Sequence, residues 1–487
     1  MAKKNSKGAQ QEEVSDALPL LEFRFDDPLF QMASHPELPI ITMGFSNGYV
    51  YCYEYDAKSL AKLIETNHIA KKQDKTDEQT TFWKVVNVPE AIDDDDHLKL
   101  LWKTRRHKGS VRCMGIDHTG KFLFTIGTDN ILKKADIMTG KVVKKSHIVH
   151  PQTKAEPKFA KMCLSSTHPL LLLGDESGNV FTVDSNSFEL VNLISKIHGG
   201  DQINDIFHFD KRSAYKFISA GQTTLAYWDA RVDNSNDVNE TDELKKKVML
   251  SDDQEDEVLC GAFVDPEVGD TIVCGMGEGI LTIWKPEKND LEDQLSRIKV
   301  SKDESIDCII PTLQDDNCIW CGCSNGKLYK VDVKKSKIIE VRNHSSEDEV
   351  QFIDLDCEYR VISGGMDKVK IWNLTNEDDE EESIGDISDD DKSDPEEFSQ
   401  DSGSDTDESS DMEDSDNSDG EEELVGLSKE ELLAELDKDL VSEEEKEDEE
   451  QNGKKRAAKD DRKQTKKKKQ QKTGLNNSHG IMKFEGL

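Results

Sequence analysis

The chain has no apolar run approaching the roughly 20 residues that a helix needs to cross a bilayer, and its start, Met1 to Glu13, lacks the apolar core of a secretory signal. Both absences point to a soluble, intracellular protein with no membrane partner. Catalytic signatures are missing as well: there is no Walker phosphate loop, no Gly-x-Ser-x-Gly elbow and no His-Glu-x-x-His. Gly275, Gly277 and Gly279 are spaced like part of a nucleotide loop but lack its strand-to-helix context. A protein that acts by binding, with no catalytic residue and no cofactor, is therefore expected. The ten cysteines do not fall at disulfide-framework spacings and sit mostly inside strand patterns, as small buried hydrophobes kept reduced. Cys318, Cys321 and Cys323 invite a zinc reading, but no second Cys/His pair has ligand spacing, so no metal site is expected.

What the chain does have is a repeat. Ser363, Gly364, Gly365, Met366 and Asp367 form a small-residue turn, and the alternating strand that follows ends in Trp372. Six weaker copies lie upstream, each an apolar strand ending in glycine, a polar turn, then a second strand closed by an aromatic or an acid. The leading glycines stand at Gly44, Gly127, Gly174, Gly221, Gly275, Gly322 and Gly365, so most spacings fall in the forties and fifties. The first spacing is 83 residues, one period plus an insertion. Such a period with four short strands per unit marks a WD40-type β-propeller, in which a lone blade cannot bury both faces and stacked neighbours complete the core.

The reading is thus all-β: a seven-bladed propeller over residues 18–375 behind a flexible start at 1–17. The seventh copy leaves no room for a fourth strand after Trp372. Leu20 to Phe25, which alternates apolar and polar residues, is expected to supply that outer strand and close the ring. The insertion at about 56–97 is rich in Lys, Asp, Glu, Thr and Gln and reads as a disordered excursion ahead of a binding loop. In the seventh copy His344, Ser363, Asp367 and Trp372 match the residue types of the buried hydrogen-bonded network that braces such blades. Other copies keep fragments, such as His107 with Asp129.

Charge is unevenly spread. Of the net −39, Glu377 to Glu450 carries −33 and residues 451–487 carry +9, leaving −15 for the first 376 residues. Within that ring, Lys99 to Lys161 holds 15 basic residues against four acids. Lys103, Arg105, Arg106, Lys108, Arg112, Lys133, Lys134, Lys144 and Lys145 are the candidates for a phosphate-binding or partner-binding face. The plainer alternative, lysines scattered over solvent-facing strand positions, stands beside it. No regular aromatic interleaving suggests base stacking, so RNA contact would be to phosphates and shape.

The acidic segment 376–452 has too few apolar residues to offset its chain entropy and is expected to be disordered. Ser388, Ser393, Ser415 and Ser418 lie among acids and suit acid-directed kinases. A capping box at Ser428 and Glu431 begins a short helix to about 440, with Leu432, Leu433, Leu436 and Leu440 on one face. In 453–487, Lys454, Lys455 and Arg456 precede Lys466, Lys467, Lys468 and Lys469 at the separation of a bipartite nuclear-import signal.

Seven degenerate repeats, the opening Leu21-Glu22-Phe23-Arg24-Phe25, the Ser/Asp/Glu tail, the lysine cluster and the closing Lys483-Phe484-Glu485-Gly486-Leu487 together resemble the WD repeat fifty-five family, and its fungal Jip-five members most. That resemblance implies a nucleolar protein needed for the large (60S) ribosomal subunit and pre-rRNA processing, acting as a scaffold. Its partners would be pre-ribosomal proteins, pre-rRNA and a nuclear import receptor, and the ring is expected to be monomeric. Two alternatives come from other features. Trp228, Asp229 and Arg231 match the Trp-Asp-x-Arg signature of substrate receptors for cullin-RING ubiquitin ligases. The tail alone suggests an acidic chaperone for histones or ribosomal proteins.

Overall fold

Seven sheets follow one another along the chain, six of them antiparallel throughout, and the last borrows its outer strands from the beginning. The computed structural model describes residues 14–15, 17–73, 81–88, 96–231 and 248–374. The expectations for the acidic tail, its helix near 428–440, the four candidate phosphoserines, the import cluster and most of the flexible start lie outside these residues. The innermost strands are Leu29–Ser34, Val111–Ile116, Phe159–Leu164, Asp205–His208, Val258–Phe263, Ile306–Pro311 and Phe352–Leu355. They lie side by side in sequence order, and the seventh meets the first. The fold is a closed seven-bladed β-propeller.

Each blade is buried on both broad faces, which is why Leu170 to Leu173 reads as an unbroken apolar run and is 0–8 % exposed. The described residues form seven core clusters, one at each interface between consecutive blades. A blade contributes half of two cores and owns none.

The repeated glycines serve these interfaces. A Cβ on Gly44, Gly174, Gly275 or Gly322 would lie 2.9, 2.6, 2.8 and 2.5 Å from Val111, Ile203, Ile306 and Val350, branched residues of the following blade. Only glycine lets the next inner strand come this close. In the seventh blade the equivalent is Gly364, whose added carbon would meet Met32 of the first blade. A second glycine, four residues on, has positive φ: Gly48, Gly178, Gly279 and Gly326 lie between 74° and 81°. Its carbonyl accepts backbone N–H groups of the loop entering the following blade, as Gly48 does from Arg106 and His107, and Gly326 from His344 and Ser345. At these positions the glycine spacing records blade-to-blade contacts, whereas an added carbon on Gly127 or Gly221 would meet His107 or His198, in the loop entering its own blade.

The ring closes as expected. Pro19–Phe25 runs antiparallel to Lys368–Trp372, with Leu21 opposite Ile371 and Phe23 opposite Val369. Leu20, Leu21 and Phe23 are fully buried. The insertion departs from expectation. Ala57–Gln73 is a helix, begun by Asp56, whose carboxylate accepts the backbone N–H groups of Lys58 and Ser59. Ala57, Leu60 and Ile64 form its buried stripe. Lys84–Val88 then pairs in parallel with Pro19–Phe25 and makes a fifth strand on the seventh blade. The stripe is only three residues wide in a polar helix, so composition alone hid it. Glu22, 3 % exposed, ties the layers together: it accepts from Trp83 Nε1 at 2.8 Å, meets Arg24 at 2.6 Å and lies 3.9 Å from Lys370.

Phe23→Ala should therefore destabilise the whole ring by about 3–5 kcal/mol, and removal of residues 1–26 should abolish a single cooperative urea transition. A truncated protein that melts like the intact one would refute closure by this strand.

Candidate functional site

The buried polar networks come first because they set the loops from which the surface cations project. In the seventh blade, Trp372 Nε1 donates to Ser363 Oγ at 2.8 Å, and His344 Nδ1 lies 2.8 Å from the same oxygen. Burial holds His344 well below the ordinary histidine range, with Lys370 and Lys368 adding to the effect, so it is neutral. Asp367 is not joined to them. The carboxylate of Asp348 takes the backbone N–H groups of Met366 and Asp367, at 3.1 Å each, and so captures the turn. The Asp367 side chain is left 56 % exposed, 3.7 Å from Lys368. The residue type was right for the network, but a neighbouring acid already fills the place. Burial, together with Asp367, raises Asp348 to about 6.

A second complete network was not foreseen. His198 bridges Thr224 Oγ1 at 2.7 Å and Ser219 Oγ at 2.9 Å, while Trp228 Nε1 donates to Ser219 at 3.1 Å. In the second blade His107 joins Asp129 and Thr125, at 2.9 Å each, and Lys134 stands where a tryptophan would. A signal existed: a hydroxyl nine residues before tryptophan, with a histidine 19 or 21 residues before that hydroxyl. A further unforeseen element is Arg342, 3 % exposed, whose guanidinium lies 4.6 Å from the Trp320 ring and 5.6 Å from Trp372 and pairs with Glu340 at 2.6 Å.

The nine candidate cations separate into groups. Arg105, Arg106, Lys108, Lys133, Lys144 and Lys145 come together around one cavity of about 730 Å³ where the loop from the first blade enters the second. Arg105 belongs to the outer strand of the first blade, Leu98–Arg105, as does Lys103. Lys103 is exposed and lies over the Tyr49 and Tyr51 rings at 5.4 and 4.8 Å. Lys134 turns toward the third blade, donating to Asn186 Oδ1 at 3.0 Å over the Phe122 ring. Arg112 reaches Glu176 at 3.4 Å and lines a separate cavity with Gln31, Gln202 and Phe352. Scatter describes these three. It also describes the ammonium of Lys144, which reaches the Asn186 carbonyl at 2.7 Å, but not the other five.

Trp228 is fully buried, so the Trp-Asp dipeptide is structural. Asp229, by contrast, holds Arg231 in a fork at 2.9 and 2.7 Å, and the Arg231 side chain is 61 % exposed, stacked 4.4 Å from Tyr215. Cys318, Cys321 and Cys323 lie in one fully buried strand. Burial pushes Cys318 up to about 12 and Cys321 well above the usual thiol range. Among the described residues no group of three His, Cys, Asp or Glu side chains is placed to hold a metal ion.

Seven blades sharing their cores, closed by an N-terminal strand and braced by His–Ser–Trp networks, define a WD-repeat propeller. The chain is 57 % identical over 397 residues to the WD repeat-containing protein JIP5 of Vanderwaltozyma polyspora, covering 78 % of this chain and 70 % of that protein. It is 51 % identical to JIP5 of Saccharomyces cerevisiae strain S288c, covering 88 % and 90 %. With JIP5 of Kluyveromyces lactis it shares 49 % identity, covering 97 % of each. The chain belongs to the JIP5 family of WD-repeat proteins. No protein-family model matches it.

His107 and His198 titrate at about 4, mainly because burial disfavours the charged ring. Their unfolded forms take up protons from about pH 6.5 downward, so their contribution is complete above that pH and is lost as the pH falls toward 4. The urea midpoint should drop across this window. His198→Gln should cost about 1–3 kcal/mol near neutrality and flatten the drop, and a parallel pH profile in that variant would contradict the assignment.

Proposed function

We propose that this chain is a non-catalytic scaffold for assembly of the large ribosomal subunit and pre-rRNA processing in the nucleolus. A propeller is a rigid disc whose loops present several surfaces at fixed spacing, which suits holding partners more than turning over substrates. The fold and the family support a scaffold role. The observation that carries the finer reading is the gathering of five cations, Arg105, Arg106, Lys108, Lys133 and Lys145, at one rim of a chain whose net charge is −39. An acidic protein that concentrates positive charge at one place has a surface matched to a phosphate backbone and unsuited to non-specific binding elsewhere. Pre-ribosomal proteins, pre-rRNA and an import receptor reading Lys454–Lys455–Arg456 and Lys466 to Lys469 are the partners in this reading. Replacing Arg105, Lys108, Lys144 and Lys145 together by Glu should remove the protein from large-subunit precursors in sucrose gradients while leaving its melting temperature within a few degrees. Unchanged co-sedimentation would overturn the reading.

One observation favours the ligase-receptor alternative, the solvent-facing Arg231 held in a fixed fork by Asp229. Under that alternative Arg231→Ala abolishes binding to the ligase's propeller adaptor. Under the scaffold reading the variant supports ribosome assembly as the parent does, and the adaptor fails to bind either protein.

A further inference from the structure

The cavity between the first and second blades has features that a merely solvent-facing patch does not need. Five cations, Arg105, Arg106, Lys108, Lys133 and Lys145, gather at it against a single lining carboxylate, Asp129, while Lys144 lines it but sends its ammonium to the third blade. That carboxylate is already committed, to His107 Nδ1 at 2.9 Å and to the backbone N–H groups of Lys108 and Ile131 at 3.2 and 3.3 Å. His107 adds no negative charge and, being neutral above about pH 4, no positive charge either.

The arrangement of the lysines is unfavourable in the free protein. Val142–His147 pairs with Ile131–Asp136 so that Lys145 stands directly opposite Lys133 and Lys144 opposite Lys134. Like charges facing each other across an antiparallel pair destabilise it. Lys133 escapes partly by donating to the Arg106 carbonyl, and Lys144 by donating to the Asn186 carbonyl at 2.7 Å. Lys145 and Lys108 are exposed, and their ammonium groups have no hydrogen-bond or ion-pair partner among the described residues.

Beneath them lies Arg106, 3 % exposed and stacked 5.1 Å from the Trp102 ring. Its Nη1 donates to the Gly140 carbonyl at 3.1 Å, while Nε and Nη2 have no partner among the described residues. Burial lowers Arg106 only to about 10, so it stays charged at neutral pH. No carboxylate among the described residues answers it, although a buried cation without one is costly. An anion held by Lys108, Lys133 and Lys145 would supply the missing negative charge to all of them at once.

We propose that this cavity is a receptor for closely spaced phosphate groups carried on one ligand, with Lys108 and Lys145 as the contacting cations and Arg106 as the fixed charge beneath them. The inference rests on the scaffold reading only for the source of those phosphates. An RNA backbone and a soluble inositol polyphosphate share the chemistry, and the volume of about 730 Å³ accommodates either a short backbone stretch or one compact polyanion.

The test uses the full chain, titrated by calorimetry with inositol hexakisphosphate and, separately, with a 20-nucleotide single-stranded RNA. Saturable one-to-one binding of either probe, weakening as salt is raised, is expected, and the probe bound at the lower concentration identifies the source. Lys145→Gln should weaken that binding at least about tenfold and should at the same time raise the melting temperature of the free protein or leave it unchanged, because a facing like charge is gone. Lys108→Gln should weaken binding without the gain in stability, and Lys337→Gln, on the sixth blade, should change neither. Failure of both probes to bind, or a lower melting temperature with unaltered affinity in Lys145→Gln, would overturn the receptor. Intact co-sedimentation with ribosomal precursors alongside that failure would leave the scaffold reading standing. Probe binding without co-sedimentation would do the reverse.

Discussion

The pairing of Pro19–Phe25 with Lys368–Trp372 joins the two ends of the described ring, and every other blade depends on it. Because no blade owns a complete core, an open ring would expose both halves of one interface, the faces now shared by the seventh and first blades. Those faces carry Phe23, Tyr53, Ile362 and Val369, all fully buried. Hydrophobic burial scales with area removed from water, so loss of this contact reaches the first and seventh blades directly. It then reaches the others through neighbours whose packing each blade needs. Glu22 fixes the register, since its only charge-compensating neighbours among the described residues, Arg24 and Lys370, come from the two paired strands.

How much was legible follows from where each signal arises. The blade count could be read because glycine is required at several turns where the next blade presses close, and that requirement recurs along the chain; the closure could be read from the alternation of Leu20 to Phe25 and the missing fourth strand after Trp372. The insertion could not, since Ala57, Leu60 and Ile64 are a narrow apolar stripe diluted by lysine and glutamate. Lys84–Val88 is likewise too short to stand out between polar segments. The basic face was half legible. Composition located the cations but not their sides, and strand alternation sends Lys133 and Lys134 to opposite faces of one blade. Asp367 failed for a different reason: Asp348, distant by 19 residues in sequence, competes for the same turn. The network of His198, Ser219 and Trp228 was missed because a hydroxyl, Thr224, and not an acid, partners His198 Nδ1.

The contrast between the rim of the second blade and the buried networks is one of charge state. The histidines inside the blades are neutral and each is held by at least one hydroxyl, which makes them braces. At the rim Lys145 faces Lys133, and neither Lys145 nor Lys108 has a hydrogen-bond or ion-pair partner among the described residues. Structural polar groups tend to find partners inside the chain, whereas groups kept without partners at a stability cost belong to surfaces that meet something else.

The order of the strands has a consequence for synthesis. Ribosomes release a chain from its N-terminal end, at roughly 5–20 residues per second, so the strand that seals the ring emerges some tens of seconds before Lys368–Trp372, its final mate. Throughout that interval Leu20, Leu21 and Phe23 need shelter from water and from other nascent chains. The helix Ala57–Gln73 and the parallel strand Lys84–Val88 follow within one blade's length and lie against the same segment in the finished molecule. The segment that covers the sealing strand is thus synthesised well before that strand's last partner.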